Sequence, residues 1–479
     1  MARYIEDHRY TPQLIPASLD ELLPESSVAR SLWAALSRLD FEAHDARFRN
    51  DAEGRPALNP RCLTAVWMLG MLRGVTSSVR LADLCGRDVE FRWLLGFAPV
   101  EKSTLCSFRK DYPQALVSLS TQVLGLLGEN DLLPGKNAGV DGTIVRAAAS
   151  RHAVKRRGRL ERQRERLRST IEERLTAVDG SSSPNPGDAA LREQQQRLER
   201  ALELLDQRGQ EGQDASLTTS EPEAALMRQK DGSFAPGYNA QVVSDLDTGA
   251  IIHAELVEGG GDGGQLQGQL EKAQAVLDAH GGGVPLETMT ADSAYHDTRQ
   301  LLELEGGKTR CYVPEDRNRN RKAPGVSEGY QAKAFEYDET NDCLRCPQGQ
   351  TLKRRKLNDA KTATVYQAPA RTCRNCPAKG QCCPNTKGGR SVNRPLYPEV
   401  LKAVADRVES KQGKRLLHAR WVACEGGIGR LKERLHWHRC RMWHKAGARA
   451  ELLWRQLTHN LLLAAGIWRP LCPTGPIEV

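Results

Sequence analysis

Three carboxylates sit where a carboxylate needs a reason. Asp141 interrupts the apolar, β-branched run Ala138-Gly-Val-Asp-Gly-Thr-Ile-Val145. Asp292 follows the short run Met289-Thr-Ala291 and leads into Ser293-Ala-Tyr295, and Glu425 lies in a strongly basic run, Lys411 to Lys445, whose other acid is Glu433. Taken singly, an acid on a strand is most often a satisfied structural residue, because burying it unpaired is costly. Three such acids from distant parts of one chain are expected to assemble a single metal site.

The second group is sulfur. The chain has 13 cysteines, and its start, Met-Ala-Arg-Tyr-Ile-Glu-Asp-His, has no apolar signal segment, so a disulfide framework is not expected. Cys62, Cys85, Cys106, Cys311, Cys424, Cys440 and Cys472 are isolated and expected to fill cores. The rest cluster: Cys343 and Cys346, Cys373 and Cys376, then Cys382 and Cys383. Two Cys-x-x-Cys knuckles around a β-like run read as a zinc ribbon. A thiolate-only site leaves no open position for catalysis, so the zinc would be structural. Spacing alone leaves open which four of the six ligate. Lys353, Arg354, Arg355, Lys356, Arg371, Arg374 and Lys379 thread this segment and suggest a nucleic-acid contact.

The elements that must position these groups can be read in order. A helical pattern runs from Asn59-Pro to about Tyr112, with Pro60 at a helix start and Gly74 at a helix end. Its turns offer Ser103 and Arg109, types suited to phosphate contacts. After Asp141, the basic stretch from Arg151 to Arg168 and the polar stretch Ala189–Gln207 flank a Ser/Pro turn. They predict a helical hairpin, either simply solvated or laid against a DNA backbone. Gly237–Asp245 and Ala250–Glu258 predict two strands of a hairpin. Gln265–His280 predicts a helix, Leu286–Ala291 a strand, His296–Glu305 a helix and Thr309–Val313 a strand. That order is the order of an RNase H-like sheet, an architecture that brings acids from separate strands and a late helix to one metal pair.

Within the basic run, about 100° per residue places Glu425, Gly429, Lys432, His436 and Arg439 on one helical stripe. Cys424, Ile428, Leu431, Leu435 and Met442 form a neighbouring apolar stripe expected to pack on the sheet. Glycine in a helix costs roughly 1 kcal/mol relative to Ala, so Gly426, Gly427 and Gly429 suggest close approach of a DNA backbone. On this register Glu433 points about 80° away from Glu425, and Glu451 belongs to a separate packing helix. Glu425 is therefore expected to complete the site, and Gln at 433 or 451 to leave most activity.

Lys and Arg number 69 against 60 Asp and Glu, a formal net charge of +9. So modest an excess makes the distribution of charge more informative than its total. No apolar run reaches membrane-spanning length, and a soluble cytoplasmic, nucleoid-associated protein without membrane partners is expected.

Together Asp141, Asp292 and Glu425 with their surroundings resemble the DDE transposases of bacterial insertion sequences, most closely the IS eleven-eighty-two-like group. The resemblance is carried by Gly237-Tyr-Asn-Ala-Gln, Ala291-Asp-Ser-Ala-Tyr295, and Arg420 with Glu425-x-x-x-Gly429-x-x-Lys432. Near the N-terminus it is carried by Phe91-Arg-Trp-Leu and Ser103-Thr-x-x-x-Phe108-Arg109. It spans about Tyr10 to Leu463; Ile428 stands where Phe is usual, and Glu101-Lys102 precedes Ser103 where an Asp is usual.

The resemblance implies an α/β fold: an RNase H-like mixed sheet flanked by helices. Its parts would be a helical DNA-binding domain (1–125), core strands (136–150 and 236–315), a helical-hairpin insertion (151–215), a zinc-ribbon-like insertion (335–390) and completing C-terminal helices (395–470). It implies strand cleavage and transfer with two Mg²⁺ (or Mn²⁺) ions, Asp141 bridging both and Asp292 and Glu425 each holding one. Arg420 and Lys432 would clamp phosphates, with His436, Arg439, Ser103 and Arg109 also on DNA. Cys346, Cys373, Cys376 and Cys382 would hold zinc, Cys343 being the alternative. The partners would be double-stranded DNA, as terminal inverted repeats and target, and a second copy in a synaptic homodimer. A non-catalytic, domesticated DNA-binding regulator and a nuclease of the same fold are the rival readings.

Overall fold

The computed structural model describes residues 18–42, 57–111, 113–176, 186–210, 212–229, 231–280, 283–315, 325–358, 361–384 and 387–471. Residues 1–17, most of the Ser/Pro turn at 181–187, and Cys472 lie outside the described residues.

Among the described residues these helices come first: α1 (Leu19–Leu22), α2 (Val28–Leu36), α3 (Pro60–Leu72), α4 (Ser78–Arg87), α5 (Val89–Leu95), α6 (Lys102–Asp111) and α7 (Pro113–Glu129). Their starts follow from local chemistry. Ser27, Asn59 and Asp88 each accept a backbone N–H of the first turn, and Pro60 occupies a position where its missing N–H costs nothing. Buried residues run almost continuously from Leu63 to Met71, so α3 is enclosed on all sides.

These helices do not form a separate core. Leu32, Trp67, Phe91 and Phe108 share one apolar cluster with Val145, Tyr238 and Val242 of the sheet and with Trp454, Leu457 and Leu461 of the last helix. The expected N-terminal domain is therefore welded to the rest of the molecule by its own hydrophobic surface.

The central sheet contains β1 (Asn137–Arg146), β4 (Ala225–Arg228), β5 (Phe234–Asp245), β6 (Ile251–Val257), β7 (Thr288–Thr290) and β8 (Arg310–Tyr312). The strands run β4-β5-β1-β7-β8, with β6 also paired to β5. β1 is antiparallel to β5 and parallel to β7, and β7 is parallel to β8. Mixed strand directions and helices on both sides are consistent with an RNase H-like core. The alternation is clean: Val145, Tyr238, Ala240 and Val242 face the helical cluster, whereas Ala138, Val140, Val243 and Met289 face a second core under α10 (Leu266–His280). The predicted strands all exist; those around Met289 and Cys311 are shorter, three residues each. Between β7 and β8 lies α11 (Thr298–Leu304).

Two excursions leave this sheet. Between β1 and β4, a ribbon of β2 (Val154–Arg156) and β3 (Ser216–Thr218) closes off the antiparallel pair α8 (Arg157–Thr176) and α9 (Pro186–Gln207). That pair packs through Leu160, Leu167, Leu198, Leu202 and Leu205. After β8, the strands β9 (Glu336–Asp338), β10 (Cys343–Arg345), β11 (Thr351–Leu357), β12 (Ala363–Gln367) and β13 (Ser391–Pro395) form an antiparallel meander. It carries the short helices α12 (Ala370–Arg374) and α13 (Lys379–Cys382). The chain then returns through α14 (Pro398–Glu409) and a long bent helix, and ends with α17 (His444–Ala464). Among the described residues, no helix is long and apolar enough to cross a membrane.

Candidate active site

Register brings the two aspartates together. Gly139 pairs with Thr290 at the end of the parallel β1–β7 ladder; continued by two residues, the same register sets Asp141 beside Asp292. Beyond the ladder Asp292 turns the chain, accepting the Ala294 N–H at 2.8 Å to start the tight turn Ser293–Tyr295.

The third acid arrives on the bent helix, through a glycine. The helix consists of α15 (Lys411–Arg420), a π turn (Trp421–Glu425), the single turn α16 (Gly426–Gly429) and a second π turn (Arg430–Arg434). A Cβ on Gly139 would lie 2.8–2.9 Å from Leu246 Cδ2, Arg420 Cγ and Cys424 Sγ. The missing side chain is what lets this helix lie directly on β1. Two residues along the same face, Asp141 meets Arg420, whose Nη1 is 3.5 Å from Asp141 Oδ2. Glu425 follows the fully buried Cys424 and is itself exposed. We expect Gly139→Ala to push the helix outward and destabilise the protein by about 1–3 kcal/mol, as overpacking does. A denaturant titration of the variant measures this, and the displacement of Glu425 should reduce activity beyond the loss of folded protein.

The electrostatics mark Asp141 as the strained member. Burial pushes its carboxyl up to about 6; Arg420 opposes this, while Asp292 and Glu425 add to it. Asp292 and Glu425 thus both lie within electrostatic reach of Asp141. Among the described residues, no three His, Cys, Asp or Glu side chains are gathered into a ready ligand set for a metal ion.

The remaining predicted contacts separate. Arg420 is only 8% exposed and faces Asp141, so it is an internal counter-ion and not an open phosphate clamp. Lys432 donates from Nζ to the Ile144 carbonyl at 2.9 Å and lines a cavity of about 520 Å³ together with Arg146, Arg228, His438, Arg439 and Asp262. The predicted stripe through His436 and Arg439 does not exist as a helix face. The helix stops at Arg434, His436 sits at φ 53°, and the two π turns shift the register that the 100° step assumed. The His436 ring packs on Gly74, where a Cβ would come within 3.1 Å of Nε2. Arg439 donates to the Ala147 carbonyl at 3.1 Å and also to that of Ala148, stapling the end of β1.

Ser103 is exposed at the start of α6, whereas Arg109 is not available to DNA in the way expected. Its guanidinium lies 4.6 Å from the Trp67 ring centre and donates to the Thr76 carbonyl. Glu451 is also structural. It is 1% exposed, accepts the Arg441 and Met442 N–H groups at 2.6 Å each, and pairs at 3.3 Å with Arg455, itself 3% exposed. Glu451→Gln would leave Arg455 as a buried, uncompensated charge. In place of the near-neutral outcome expected from sequence, we predict destabilisation by about 3–5 kcal/mol, readable as a lowered midpoint in urea. Glu433, by contrast, is exposed, 3.6 Å from His438.

Cys346, Cys373, Cys376, Cys382 and Cys383 line one cavity of about 20 Å³, though no three of them are already gathered as a ligand set. Cys343 is buried on β10 and is not among the residues lining that cavity, because successive side chains on a strand face opposite ways. The Gln350 N–H donates to Cys346 Sγ at 3.3 Å and the Arg390 N–H to Cys373 Sγ at 3.2 Å.

Sequence reasoning missed Asp262, in the loop Gly259-Gly-Gly-Asp-Gly-Gly264. Its Oδ1 accepts from Gln241 Nε2 at 2.7 Å and Asn239 Nδ2 at 3.0 Å, in the space that a Cβ on Gly142 would fill. An acid set among five glycines was the available signal.

Two family descriptions match the chain: a Transposase domain (DUF772) over residues 17–111 and a Transposase DDE domain over residues 345–462. The second holds Arg420, Glu425, Lys432 and the clustered cysteines from Cys346 on. Together the two matches support a DDE-type insertion-sequence transposase. It is accordingly a DNA-processing enzyme whose partner class is DNA. The transposase's Asp141 and Asp292 lie between the two matched stretches. No curated protein matches the chain.

Proposed function

We propose that this transposase cuts DNA at the terminal inverted repeats of its element and joins the ends to a target, using Asp141, Asp292 and Glu425. The observation that carries the reading is the approach of Asp292 and Glu425 to Asp141 in the middle of β1, where burial first and then the two other acids disfavour its ionised form. The donor set fits Mg²⁺ or Mn²⁺: hard carboxylate oxygens, two of them raising the charge cost of Asp141, on elements brought to the middle of β1. When bound, such ions activate water or a 3′-hydroxyl and stabilise the leaving oxygen. The chain's own part is to hold the carboxylates in place, with Arg420 favouring and compensating the negative charge of Asp141. The basic cavity lined by Arg146, Arg228, Lys432 and Arg439, which starts at Gly142, supports a DNA backbone running along β1 beyond Asp141.

The cysteine cavity fits zinc in the same way. Its donors are thiols, two of them accepting backbone N–H bonds, and Cys346, Cys373, Cys376 and Cys382 would supply four ligands with Cys383 beside them. The zinc would hold the meander together as a ribbon-like insertion, as α8 and α9 would form the helical one. The N-terminal helices would read the repeats, and a homodimer would pair the two ends.

Purified protein, supercoiled plasmid carrying the element's own ends, and Mg²⁺ test the proposal. Cleavage at the ends followed by joining supports it. Binding without cleavage in either metal would favour a DNA-binding regulator, and cleavage without joining a nuclease.

A further inference from the structure

We propose that Asp262 is a positioning residue of the catalytic site, acting from the reverse face of the sheet to fix the turn that carries Asp292. The inference rests on the reading of Asp141, Asp292 and Glu425 as the catalytic acids.

The chain of contacts has a direction imposed by chemistry. An ionised carboxylate only accepts hydrogen bonds. Asp262 Oδ1 therefore requires the NH₂ side of the Gln241 amide, which donates to it at 2.7 Å and also to Asn239 Oδ1 at 3.1 Å. That orientation turns Gln241 Oε1 the other way, onto the Tyr295 hydroxyl, which donates to it. Tyr295 has no exposed surface and closes the turn that Asp292 begins. Asn239 reinforces the arrangement, donating to Asp262 Oδ1 at 3.0 Å and to the Gly261 carbonyl at 3.4 Å.

The geometry of the sheet supports action at a distance from the reacting atoms. Gly142 pairs with Gln241 and Asp141 with Val242, so Asp262, over Gly142, lies on the face opposite Asp141. A Cβ on Gly142 would stand 2.3 Å from Asp262 Oδ1; glycine is what admits the carboxylate. Asp262 thus couples the residue after Asp141 to the residue three past Asp292. It sets the separation of the two aspartates without reaching the cleft between them.

Asp262→Asn and Tyr295→Phe test this. Asparagine presents an amide that can face either way, and phenylalanine keeps the ring while removing the only donor to Gln241 Oε1 in this chain of contacts. In metal-free protein, each variant should exchange the amide hydrogens of Tyr295 and His296 about tenfold faster than wild type. Calorimetric Mn²⁺ affinity should fall about tenfold or more, the usual effect of losing a residue behind a metal ligand. The Mg²⁺ needed for half-maximal cleavage should rise by the same factor and be overcome at high concentration. Because both residues act through Gln241, the double variant should be no worse than the poorer single one. Unchanged exchange and Mn²⁺ affinity in Asp262→Asn would overturn the proposal, as would summed effects in the double variant. Cleavage lost at every Mg²⁺ concentration with exchange unaltered would also overturn it, since Asp262 would then act directly. If wild type itself showed no metal-dependent cleavage, the exchange and Mn²⁺ results would still decide this proposal while the catalytic reading failed.

Discussion

Asp141→Asn and Asp292→Asn should each lower metal-dependent strand cleavage by on the order of 10³-fold or more while leaving DNA binding intact. A neutral amide keeps the shape of the side chain but supplies a far weaker ligand to Mg²⁺. Glu425→Gln should behave the same way, whereas the exposed Glu433 should tolerate Gln. Asp141→Asn carries a second, opposite expectation. Burial and the neighbouring acids hold the Asp141 carboxyl at about 6, above its ordinary value of 3.8. The folded state therefore prefers the protonated form. The stability associated with that preference is complete below about pH 3.8 and is lost as pH rises through about 6. Asparagine is neutral throughout, so in EDTA at pH 8 the variant should be the more stable protein by up to about 3 kcal/mol. The difference should close on acidification to about pH 4. Melting curves at the two pH values measure it, and a variant no more stable than wild type at pH 8 would remove the strain argued for Asp141. Retained cleavage in the same variant would remove its catalytic role.

Cys376→Ser should have the largest effect on structure. Protein prepared under reducing conditions should carry about one zinc per chain, and the variant close to none. The meander's core is small, built on Leu344, Leu352, Tyr366 and Val392, and a segment of this size is marginal without a further tie. Zinc bound by thiolates supplies apparent free energies of about 10–16 kcal/mol in small domains, so losing it should loosen residues 335–395 while the central sheet stays folded. Burial raises the Cys373 thiol and pushes Cys382 up to about 11. Each ligand must shed its proton to bind, so zinc should be released as pH falls. Elemental analysis gives the content and hydrogen exchange the extent of loosening. Absence of zinc from carefully reduced wild-type protein would end this account.

Much of the architecture was written in local patterns. Strands around Asp141, Asn239, Ile252, Met289 and Cys311 announced themselves through β-branched residues and turn signals, because strand formation depends on side chains a few residues apart. Asp141, Asp292 and Glu425 could be picked out because an acid in an apolar or basic setting is conspicuous in one dimension. The sequence also carried Cys346, Cys373 and Cys376 as a group, since short loops confine them. What the chain could not reveal were the outcomes of long-range packing. The stripe through His436 and Arg439 failed because two π turns, and a helix end at Arg434, replaced the uniform rotation that a sequence pattern assumes. Arg109 and Glu451 look like surface groups in the sequence, yet Arg109 is half-buried and Glu451 buried where the N-terminal helices meet α17. Nothing within a few residues of either signals that meeting. Cys343 shares the spacing of its neighbours but not their cavity, because strand alternation turns it away. Asp262 acquires its place only once Gly142, Asn239 and Gln241 are laid side by side. Hydrogen bonds and ion pairs between distant segments depend on three-dimensional register, and register is set only when the whole sheet has closed.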